Sequence, residues 1–160
     1  MIPSTVILAT HVLKDHRILE DVRRRLCNIP KRDYMFEIKA LEKEPMLLSL
    51  YAETLRFGVQ IHIPRCAPHD RVQVEGSEIP RDKLILVSTS VAHNDEQIWD
   101  PCGGNFPVHR FWAKRFLSTD SSLHASTSSP SDGSSHDAAG SSEETFSLQG
   151  LEGAWIPFGG

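Results

Sequence analysis

Apolar residues recur at helical spacing through the early part of the chain and at strand spacing only later. Pro3-Ser4-Thr5 precedes a helix-compatible stretch that runs to about Asp15. Ile18, Leu19, Val22 and Leu26 then repeat at the spacing of one helical face, with Asp15 placed as a cap and Pro30 closing the element. A short helical stretch is predicted from Ile38 to Lys43. Pro45 suits the first turn of a further helix over Met46 to Phe57, which Gly58 ends. The period then changes. Val72-Gln-Val74 and Leu84-Ile-Leu-Val87 read as short strands, with a turn at Gly76 before Ile79. Residues 90–99 suit one more short helix, and Pro101, Gly103 and Gly104 mark irregular chain.

The third long helix carries an anomaly. Glu53 and Arg56 are opposite charges three residues apart, so they project from one helical face. Leu50 and Phe57 share that face, and Leu47, Leu48 and Leu55 flank it. A solvated pair of this kind contributes little. A pair set among apolar residues is instead partly buried and needs further hydrogen bonds to offset its desolvation. The sequence should contain that further partner.

Composition narrows the classes. The chain has 160 residues, enough for one domain, and a net charge of -4. That balance argues against nucleic-acid binding, which goes with a basic excess. The basic run Arg23-Arg24-Arg25 reads as a solvated helix face. Cys27, Cys66 and Cys102 form no CxxC, and the eight histidines show no ligand spacing, so no metal site is predicted from them. No apolar run is long enough to span a membrane, and no leader pattern opens the chain, which reads as soluble and cytoplasmic. From Ser121 to Ser142, ten of 22 residues are serine. Nothing there can build a core, so residues 118–145 are read as a disordered insertion in a single domain over 1–160.

Six elements follow one another along the chain. They are Glu53-Thr-Leu-Arg56, Arg65 with Asp70 five residues on, Glu75-Gly-Ser-Glu-Ile-Pro80, His93-Asn-Asp95, Phe106-Pro-Val-His-Arg-Phe111 and Trp155-Ile-Pro-Phe-Gly-Gly160. In this order the set resembles the C-terminal half of a cytochrome P450. The resemblance implies a mainly α fold with small β-sheets, a partial P450 fold from the end of the I helix to the start of the haem-binding loop. It implies that Glu53 and Arg56 are the charge pair of the K helix. Arg110 is then the arginine that joins them as a structural triad, although Val108-His109 stand where the family often has an acidic residue. It implies that Arg65 pairs with a haem propionate, and that Phe158 and Gly159 open the haem-binding signature. The family's thiolate cysteine would lie beyond Gly160, so no catalytic residue and no iron ligand is assigned in this chain. The start Ile2-Pro3-Ser4-Thr5 resembles the branch that includes prostacyclin synthase and sterol hydroxylases, which would put Ser4 or Thr5 near the oxygen site. A helix cap is the plainer reading of both.

The implied function is that of a fragment of a haem-thiolate monooxygenase. The parent would insert one oxygen atom from O2 into a lipophilic, sterol-like substrate, with electrons from a reductase. The parent would hold haem and sit at the endoplasmic reticulum membrane. Lacking the axial cysteine, this chain alone would be inactive, and its own retention of haem is not implied. Two other readings stand beside this one: a non-catalytic helical interaction module, and a degenerate gene product that does not fold.

Overall fold

The computed structural model describes residues 3–67, 72–100, 106–119 and 144–158. The serine-rich stretch, Asp70, Cys102 and Gly159 lie outside these residues. The architecture is helical with small antiparallel two-stranded sheets, as expected. The chain divides into two compact units. One comprises Met1–Ile7, Thr54–Phe111 and Gly150–Gly160, and the other Leu8–Glu53 and Trp112–Gln149. No described helix is long and apolar enough to cross a membrane.

Helix α1 spans Ser4–Lys14 and α2 spans His16–Cys27. Asp15 separates them, and its carboxylate accepts from the backbone N–H groups of Arg17 and Ile18. That satisfies two of the donors a helix start leaves open. Helix α2 stops at Asn28, two residues before Pro30. A hairpin follows, β1 (Lys31–Arg32) against β2 (Met35–Phe36). Its turn residues Asp33 and Tyr34 both have positive φ, 50° and 65°. Such a two-residue turn matches the strand twist but normally recruits glycine or asparagine. Helix α3 spans Ile38–Leu41, and α4 spans Pro45–Gly58.

The core of the Leu8–Glu53/Trp112–Gln149 unit forms around the first part of α4. Ile29, Met46, Leu50, Ala52, Ala113 and Phe116 are buried there. Ser49 is buried among them because its hydroxyl is used twice. It donates to the Ala113 carbonyl at 2.8 Å and accepts from the Phe116 N–H at 3.2 Å. Strand β7 (Leu117–Thr119) pairs with β8 (Glu144–Phe146), and Phe116 packs at a tilt on Phe146.

The other unit contains β3 (His62–Cys66), paired antiparallel with β6 (Leu84–Ser88). Between them lies the hairpin β4 (Val72–Val74) and β5 (Ser77–Ile79), turned at Glu75-Gly76 with φ of 47° and 80°. The Thr89 hydroxyl accepts from the Ile61 N–H at 3.0 Å and fastens the start of β3 to the end of β6. The single helix expected over 90–99 is two helices, α5 (Thr89–His93) and α6 (Glu96–Trp99). Asp95 makes the break. Its side chain caps α6 by accepting from the Gln97 N–H at 2.9 Å.

Candidate functional site

The end of α4 places Arg56 in the interior with 2% of its surface exposed. Its fork is used on two carbonyls of the same unit. Nη1 donates to the His93 oxygen at 2.7 Å and Nη2 to the Val108 oxygen at 2.9 Å. The guanidinium also lies over the Trp99 ring, 5.3 Å from its centroid. A buried charge of this kind is tolerated because planar donors, carbonyl dipoles and an aromatic face replace water. Phe57, the next residue, meets Phe111 edge to face at 6.1 Å.

His93 is fully buried and sits edge to face with Trp99. The Trp99 indole N–H donates to the Ala92 carbonyl at 2.7 Å, which fixes the indole. The imidazole Nε2 accepts from the Ile156 N–H at 3.2 Å. Burial and then the Arg56 charge push the His93 pKa below the ordinary imidazole value. The carbonyls of Val59 and Arg56 oppose that shift, but neither makes a well-formed hydrogen bond with Nδ1.

In the other unit, Glu53 is fully buried. One carboxylate oxygen accepts from the Trp112 N–H at 3.0 Å. Arg115 Nε reaches both oxygens, at 3.2 and 3.1 Å, and the Arg115 side chain is only 4% exposed. The Arg115 guanidinium also lies over the Trp112 ring. Arg115, beyond the helix, thus reaches the Glu53 carboxylate. Arg110 lies on an exposed turn, its N–H bonded to the Pro107 carbonyl, in the unit that also holds Arg56. Arginine precedes phenylalanine at Arg56, Arg110 and Arg115, and Arg115 brings a buried guanidinium to Glu53.

Arg65 is exposed on β3, opposite Ile85, with Nη1 donating to the Pro64 carbonyl at 3.1 Å. Phe158 is 70% exposed. Gly159 and Asp70 are outside the described residues. Cys27 and Cys66 are exposed free thiols, and among the described residues no group of three His, Cys, Asp or Glu could hold a metal ion.

The basic run on α2 is not uniformly solvated. Arg25 bonds Asp21, Glu44 at 2.7 Å and Glu144, while Lys114 reaches Asp21 and Glu144. Burial alone would raise the carboxyl pKa values of Asp21 and Glu144. The hydrogen bonds and charges of the basic side chains outweigh it and hold both below their ordinary values.

The sequence profile described as "Cytochrome P450" matches residues 4–127. The chain belongs to the cytochrome P450 family. The P450 is similar to "Cytochrome P450 monooxygenase efuG" of Hormonema carpetanum, 29% identical over 99% of this chain and 30% of the relative. It is also similar to "Cytochrome P450 monooxygenase fsoE" of Humicola fuscoatra, 28% identical over 99% of this chain and 29% of the relative. "Cytochrome P450 81F1" of Arabidopsis thaliana is 24% identical over 62% of this chain and 23% of the relative. The P450 chain thus spans less than a third of the length of these curated relatives. They are fungal and plant P450s, and the expected place in the prostacyclin synthase and sterol hydroxylase branch finds no support among them.

Proposed function

We propose that this P450 chain supplies the propionate contact and part of the buried scaffold of a haem monooxygenase. The observation that carries this is the contrast between two arginines of one unit. Arg56 is buried and directed at two carbonyls, whereas Arg65 presents a guanidinium at the exposed surface of β3. An exposed cation on a sheet suits an anionic group brought by a ligand, and a guanidinium suits a carboxylate in particular. The exposed ring of Phe158 suits the apolar edge of a macrocycle. Haem, when bound, would supply the oxygen chemistry, and no cysteine of this chain is assigned to its iron. Arg65 would orient the group through a propionate. The buried charges at Glu53, Arg56 and Arg115 would keep the surrounding chain fixed without touching substrate. The substrate would be small and lipophilic, the electrons would come from a reductase, and the chain alone would be inactive.

Titration of ferric haem into the chain, followed by absorbance, tests this reading. Arg65→Gln is expected to weaken uptake several-fold, since it removes a charge-assisted pair. Equal uptake by parent and variant removes Arg65 from the site. Carbon monoxide added to the reduced sample is expected to give no thiolate-type Soret band. Such a band would contradict the claim that the chain alone is inactive.

A further inference from the structure

The buried imidazole of His93 is the polar group that the scaffold reading leaves unexplained. A backbone N–H can only donate, so the 3.2 Å contact from Ile156 makes Nε2 an acceptor. An imidazole that accepts at Nε2 and is neutral carries its proton on Nδ1. That Nδ1 is buried and has no hydrogen-bond partner. A buried donor without a partner costs free energy. The Arg56 guanidinium only donates and cannot serve as the acceptor, and a phenylalanine in the same place would avoid the orphan but lose the Ile156 bond. The main chain of the same residue is held separately, by Arg56 Nη1 on its carbonyl at 2.7 Å. Trp99 closes the other side of the ring. His93 therefore has its backbone on the α4 arginine and its side chain on the Trp155–Phe158 segment.

We propose that His93, neutral and protonated on Nδ1, is a positioning residue that locks the Trp155–Phe158 segment onto the Arg56 site through the Ile156 N–H. The inference rests on the haem reading for its purpose, because this segment carries Phe158, and it deepens that reading. Arg56 fixes the His93 backbone, the α5 helix carries the ring to a fixed place, and the ring fixes Ile156. Pro157, buried next to it, has no N–H of its own to anchor. The bond at Ile156 is thus made by the main-chain N–H nearest to Phe158 on its N-terminal side.

Nitrogen NMR of the parent chain, without haem, tests the tautomer directly. The expected result is an Nδ1-protonated, Nε2-unprotonated His93 at neutral pH. An Nε2-protonated ring overturns the proposal, and this measurement needs no variant to fold. Amide exchange then tests the lock. In His93→Phe the Ile156 amide is expected to exchange about fivefold faster, the loss of one ordinary hydrogen bond. In His93→Gln, whose side-chain oxygen can accept in place of Nε2, exchange is expected to stay near the parent rate. Unchanged exchange in His93→Phe overturns the proposal, as does equal acceleration in both variants. Neither readout involves haem. A failed haem titration leaves the His93–Ile156 bond standing, and a failed lock leaves the Arg65 site standing.

Discussion

Arg115 Nε lies 3.2 Å from one oxygen of the Glu53 carboxylate and 3.1 Å from the other. Both side chains are sealed from solvent, so their charges are compensated by each other and by the Trp112 N–H rather than by water. Arg115 is an added partner of the kind that the apolar setting of Glu53 demands.

Glu53→Gln should be strongly destabilising. It leaves the Arg115 guanidinium buried without its counter-charge, and breaking one side of a buried pair costs about 3–5 kcal/mol. Denaturant unfolding should show a lower midpoint with little change in slope. A midpoint equal to the parent's would mean that the carboxylate is not the compensating charge.

Arg56→Lys tests geometry rather than charge. A lysine keeps the cation but has no planar fork to meet the His93 and Val108 carbonyls together. A loss of about 2 kcal/mol is expected, from one carbonyl left short of a donor. The same denaturation experiment measures it. A fully neutral substitution would show that the two-carbonyl fork contributes nothing to stability.

His93 should give the fold a weak acid sensitivity near neutrality. Its folded pKa is lowered, first by burial and then by Arg56, below the ordinary value of 6.5. The unfolded chain therefore takes up a proton before the folded chain does. Stability from this residue is full above the unfolded value and is lost as pH falls below it toward the folded value. Unfolding midpoints compared between about pH 7 and about pH 5 should fall with acid, and the slope should flatten in His93→Gln.

A second acid transition should appear lower. Asp21 and Glu144 have depressed folded values, so their contribution is present above the ordinary carboxyl values and lost as pH falls through the folded ones. Glu144 starts β8 and binds Arg25 and Lys114. Glu144→Gln should speed amide exchange in β7 and β8 and remove part of the acid transition. Exchange that stays at the parent rate would show that the cluster does not hold the hairpin.

Local signals in the sequence led to the right elements where the chemistry is local. Asp15 caps α2 because a short carboxylate before an apolar repeat can reach the first N–H groups. Gly76 turns β4 into β5 because it tolerates positive φ. The burial of Glu53 and Arg56 was also legible, since leucines surround them in the helix. Three features were not legible. Arg115 meets Glu53 across 62 residues of sequence, and nothing local in Lys114-Arg-Phe116 marks that arginine for burial. Strand β3 contains Pro64, which counts against a strand in sequence but is allowed at an exposed position paired with Leu86. The half-burial of Arg25 depends on Glu44 and Glu144, which are remote in sequence and could not be read from a basic run.

On the proposed reading, Arg56 and Arg115 hold the fold and Arg65 serves a ligand. Denaturant unfolding of Arg115→Ala beside Arg65→Gln tests that division most directly. Arg115→Ala is expected to lose about 3–5 kcal/mol by stranding Glu53, and Arg65→Gln to stay within about 0.5 kcal/mol of the parent, as exposed substitutions do. An unchanged midpoint for Arg115→Ala, or a loss of the same size for Arg65→Gln, would contradict it.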